Sequence, residues 1–201
     1  MLKAKRLPFF IILIFILNGL IFFRAFYTIE GIEEVFAECA RNSGRTSAAI
    51  NLLVLIMLGL FGLKRIYHKN SLKDAFRVLI TLFAINHLIH FVLVSFLFNS
   101  HSWELGIVEH LHGFITYICI VLLPIILWIS KKLSKLLYLG IILHIINVTY
   151  MISHTFYSRY NEEDPAHLHR TGIVIMCILV LYMIYRVFKE RSIKFEIDKH
   201  S

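Results

Sequence analysis

Charge is scarce in this chain. Lys, Arg, Asp and Glu make up 17% of its 201 residues, where a soluble domain carries about 25%. Hydrophobic residues fill 58% and the mean hydropathy is +0.73. An ordinary soluble fold is excluded by that balance, and so is a disordered chain, which needs low hydrophobicity. Cysteine is also sparse. Cys39, Cys119 and Cys177 are odd in number and far apart, and they form neither a disulfide framework nor a zinc-binding spacing. There is no C-x-x-C pair, no Gly-rich nucleotide loop and no Ser/His/Asp arrangement of the kind nucleophilic catalysis uses. The formal charge of +8 would suggest nucleic acid on a soluble protein. In a chain this apolar it is read through loop placement instead, and nothing points to a nucleic-acid partner.

Six apolar runs stand out, at about residues 7–23, 46–63, 75–98, 113–129, 136–156 and 172–187. Each approaches the roughly 20 residues needed to cross a bilayer. The expected fold is therefore all-α: a single polytopic membrane domain, a bundle of six transmembrane helices with membrane lipid around it. Six spans take roughly 120 residues by that measure, which leaves no room among these 201 for a soluble catalytic or nucleotide-binding domain. The first run has a basic leader (Lys3, Lys5, Arg6) and no small-x-small cleavage site after it, so it reads as a retained signal anchor. With the N-terminus inside, the inner segments hold sixteen Lys and Arg and the outer ones five. The positive-inside rule then places both termini in the cytoplasm, for a bacterial inner membrane. Between the first two runs, Ile32, Val35, Phe36 and Cys39 alternate with Glu30, Glu33, Glu34 and Glu38. That period predicts a short amphipathic helix lying on the outer surface. Asn161-Glu-Glu-Asp-Pro165 predicts a turn.

Histidine is the outlier, with eleven residues. A histidine inside a span is costly and is a functional candidate by default. His87 and His90 lie in the third run at i, i+3, on one helix face. His144 lies in the fifth run and His154 near its outer end. His110 and His112 open the fourth run, and His167 and His169 precede the sixth. His68, His101 and His200 read as surface residues. Each intramembrane histidine can serve simply as a hydrogen-bonding group to a neighbouring helix. Neutral imidazole is also the commonest metal ligand, and a dry helical bundle suits haem iron held by one imidazole from each of two helices. A non-haem metal would want three or four ligands, and only Glu109 lies near a histidine group.

The arrangement resembles the ferric reductase-like transmembrane haem proteins. These include the membrane domains of NADPH oxidases and the haem subunit of bacterial methionine sulfoxide reductase systems. The resemblance rests on Ala40-Arg-Asn-Ser-Gly-Arg-Thr-Ser47, Phe83-Ala-Ile-Asn-His-Leu-Ile-His90, Gly113-Phe-Ile-Thr-Tyr117 and Leu143-His144, and it covers about residues 40–160. It implies transmembrane electron transfer through a b-type haem, in the membrane subunit of an oxidoreductase system. Two-haem members carry histidines about four turns apart on one helix. Here Arg77 stands 13 residues before His90, so one haem is expected. The Leu143-His144 match implies His144 as one iron ligand, and depth along the spans, about 12 Å for His144 against about 18 Å for His87 and about 22 Å for His90, then favours His87 as the other. His90 would then sit at the haem edge, and His90 with His154 is the competing outer pair. Arg45 is a candidate partner for a haem propionate. Electrons would come from a separate flavoprotein or from membrane quinol. The alternative function is non-redox: a transporter or scaffold whose histidines relay protons or bind a non-haem metal.

Overall fold

The structure is a computed structural model that describes residues 4–100, 111–159 and 166–192. His101, Glu109, His110, the turn at 161–165, Lys194, Lys199 and His200 lie outside the described residues. Among the described residues there are helices and no strands. A 3-10 turn, Ala4–Arg6, leads into α1 (Leu7–Thr28), followed by α2 (Ile32–Phe61), α3 (Leu63–His68), α4 (Asn70–Ser100), α5 (Leu111–Ile129), α6 (Lys135–Ser158) and α7 (Ala166–Ser192). All but α3 are long and apolar enough to cross a membrane. Large side chains such as Phe15, Leu20, Phe23, Ile115, Ile125 and Leu181 are exposed along them. Water would penalise such continuous apolar faces, whereas acyl chains cover them at no cost.

Local chemistry sets the helix ends. Pro8 sits in the first turn of α1, where no intrahelical N–H is needed. Gly31, at φ +94°, supplies the left-handed step between α1 and α2. Glu33 and Glu34 then fall in the first turn of α2, where carboxylates suit the helix dipole. α6 is capped by Ser134, whose Oγ accepts the Leu137 N–H at 3.1 Å.

One expectation is corrected here. The stretch around 32–39 is no separate surface helix but the first two turns of α2. Val35 and Cys39 are buried against Ala25 of α1, with Ile21, Ile29 and Leu93 around them. The apolar period was real, and a neighbouring helix rather than a membrane surface covers it. The other runs extend by one to six residues at each end, except the first at its start and the fourth at its end.

The chain forms two compact units. The first comprises residues 1–51 and 74–131, and so α1, most of α2 and α4, and α5. Within it, Phe36 of α2 stacks on Phe96 of α4 at 5.2 Å between ring centres. Trp128 of α5 donates from Nε1 to Thr81 Oγ1 of α4 at 3.0 Å. Arg77 of α4 lies over the Trp128 ring and donates to the Ser130 carbonyl at 2.8 Å, satisfying a carbonyl just past the end of α5. The second unit comprises residues 52–73 and 132–201. There α6 and α7 pack closely. Gly172 of α7 faces the Phe156 ring of α6, and a Cβ would come within 2.7 Å of it. His169 is buried, with its ring edge-on to Phe156 at 5.3 Å.

Candidate functional site

The first unit places a row of polar side chains between its apolar helices. Asn18 of α1 donates from Nδ2 to Asn86 Oδ1 of α4 at 2.9 Å and to its own helix's Ile14 carbonyl at 2.9 Å. Asn86 is buried, and both of its amide protons go to α2: to the Ser43 carbonyl and to Ser47 Oγ, each at 2.8 Å. Its orientation is fixed, because a carbonyl can only accept. Ser47 in turn lies 3.2 Å from His87 Nδ1. The chain from Asn18 to His87 thus links α1, α4 and α2 through side chains that the apolar surroundings force to pair.

His90 is held more tightly. Its Nδ1 lies 2.9 Å from the Ala40 carbonyl and 3.1 Å from Ser43 Oγ. The Ser43 hydroxyl donates to the same Ala40 carbonyl at 3.1 Å. Since the carbonyl offers no proton, Nδ1 of His90 must carry one. Neutral His90 therefore bears its lone pair on Nε2. Gly44 eases this approach: a Cβ there would come 3.2 Å from His90 Cε1, so the ring would have to give by a few tenths of an ångström. Sequence reading gave Ser43 and Gly44 no role of their own in the site.

The His87 ring is fixed from its faces. Phe83 stacks on it at 5.2 Å and 17°, and Tyr117 of α5 stacks at 5.0 Å and 23°. Phe91 packs on Tyr117 at 4.6 Å, and the His87 and His90 rings are 5.4 Å apart. Both imidazoles on this helix face are thus contacted at Nδ1, and His90, whose Nδ1–H donates to protein, has the arrangement typical of metal-ligating histidines. Among the described residues no three His, Cys, Asp or Glu side chains converge on one point. A haem does not need such a cluster, because it takes one imidazole per face. His87 or His90 of α4 could therefore supply one of the imidazoles that would hold a haem.

The remaining candidates stand on other helices. His144 is half-buried on α6 and belongs to the second unit, as do the exposed His154 and His167 and the buried His169. Arg45 is half-buried and donates to Asn42 Oδ1 on its own helix at 3.3 Å. His112 and His68 are exposed. The residues missed by sequence reading are Asn18, Ser43, Gly44, Ser47 and Asn86. The one available signal was Asn86, a polar amide at the centre of an apolar run and next to His87. Comparison with family models, with curated proteins and with solved structures finds no match to this chain.

Proposed function

We propose that this integral membrane protein transfers electrons across a bacterial inner membrane through one b-type haem, with both termini in the cytoplasm. The observation that supports the reading is the histidine pair of α4, each imidazole tied at Nδ1 by α2. The haem, when bound, supplies the one-electron chemistry. The chain's own residues ligate, orient and exclude water. Ser47, Phe83 and Tyr117 hold the His87 ring, and the Ala40 carbonyl fixes the tautomer of His90. On sequence grounds the ligands are His87 and His144. The fixed Nδ1–H makes His90 the competing α4 ligand. Arg45 is the proposed propionate partner. A separate flavoprotein or membrane quinol supplies electrons.

The visible spectrum of the purified protein tests this. A Soret band with sharp α and β bands on reduction is expected, and His144→Ala and the ligand-removing α4 variant, His87→Ala or His90→Ala, should each lose it. His154→Ala should keep it. A protein that stays colourless when expressed with ample haem sinks the haem reading.

A further inference from the structure

Glu190, near the end of α7, is a carboxylate turned into the protein. Its Oε2 accepts from the Tyr138 hydroxyl of α6 at 3.0 Å, and its Oε1 accepts the Lys64 N–H of α3 at 3.1 Å. The Lys64 ammonium donates to the Glu190 carbonyl. Three helix ends of the second unit therefore meet at one buried acid, and their cations come with them. Arg65 adjoins Lys64, Lys189 adjoins Glu190, and Lys135 stands one turn before Tyr138; all three are exposed. Arg186, one turn before Glu190, reaches the Leu60 carbonyl at 3.4 Å. Among the described residues of α3, the first turn of α6 and the last two turns of α7, Glu190 is the only acid. Its charge is directed inward, so what faces outward is positive.

These cations alternate with exposed apolar side chains. Leu136 follows Lys135 and is 82% exposed, and Phe188 precedes Lys189 at 62%. We propose that this surface binds anionic phospholipid headgroups: Arg65, Lys135 and Lys189 take the phosphates while Leu136 and Phe188 lie against the upper acyl chains. The mixture decides between partners. A soluble acidic protein would match the cations but would have to cover large apolar side chains beside them. An anionic bilayer surface matches both. A positive-inside balance alone requires only that cations be present, not that three helix ends be drawn together around an inward-facing carboxylate.

The test counts retained lipid. The full chain is equilibrated in nanodiscs of equal phosphatidylglycerol and phosphatidylcholine, extracted into mild detergent, and examined by native mass spectrometry. Phosphatidylglycerol should be enriched over phosphatidylcholine. Removing cations by Arg65→Gln, Lys135→Gln or Lys189→Gln should lower the enrichment by about fivefold each. Lys135→Arg and Lys189→Arg should keep it, high salt should reduce it, and Arg159→Gln at the far end of α6 should leave it unchanged. The substituted side chains are exposed, so helix content by circular dichroism should match the unaltered protein. If a variant that combines all three Gln substitutions nonetheless misfolds, the single variants and the salt series decide. Equal retention of the two lipids by the unaltered protein, as for a surface built for an acidic protein, overturns the proposal. So does a phosphatidylglycerol preference that survives loss of all three cations.

Discussion

Asn86 commits both amide protons to α2 and its carbonyl to Asn18 of α1. Its replacement by Ala leaves the Asn18 amide and the Ser43 carbonyl with a lost partner in apolar surroundings. The expected cost is about 1–2 kcal/mol, read as a lower unfolding midpoint in detergent, with His87 losing the support of an ordered Ser47. An unchanged midpoint for Asn86→Ala would mean that the row is not structural. At this scale the sequence marks the histidines, because an ionisable side chain in an apolar run stands out whatever surrounds it. It does not mark Ser43, Ser47 or Asn18. A serine in a span is unremarkable until the facing residue is known, and the tautomer of His90 depends on a backbone carbonyl that carries no sequence signal.

Gly62 lies between α2 and α3 at φ +72°, and a Cβ there would overlap the Glu190 carboxylate. A Gly62→Ala variant therefore pays twice, for the left-handed backbone and for displacing an acid that Tyr138 and Lys64 hold. The expected loss is about 1–3 kcal/mol, measured by thermal or denaturant unfolding. Gly62→Asn should recover part of the backbone share, since Asn tolerates that conformation. Element boundaries show where hydropathy reading fails. Hydropathy starts the second run at Thr46, because Glu, Arg, Asn and Ser interrupt the apolar residues before it, yet α2 begins at Ile32. Val35 and Cys39 pack on α1, while Ser43 and Ser47 are buried as hydrogen-bonding partners. A buried polar residue whose partner lies on another helix counts against burial in any average along one strand of sequence.

For the molecule as a whole, six membrane-length helices were legible because length and apolarity are properties of each segment alone. Orientation rests on the distribution of Lys and Arg and is tested by impermeant thiol labelling of single cysteines. A cysteine at Asn161 should react from outside the cell and one at Ser71 should not. Reaction at Ser71 reverses the topology. The two units also differ in when a ribosome can deliver them. Every residue of the first unit has been made once Lys131 is joined, whereas the carboxylate that gathers the second unit, Glu190, comes 59 residues later. At roughly 5–20 residues per second that delay is about 3–12 s. Through that interval the histidine pair and its serines can settle, while Tyr138 and the elbow at Gly62 still wait for the side chain that joins them. Translation thus gives the two halves of this protein an order of maturation, with the pair of imidazoles in place before the cationic surface is assembled.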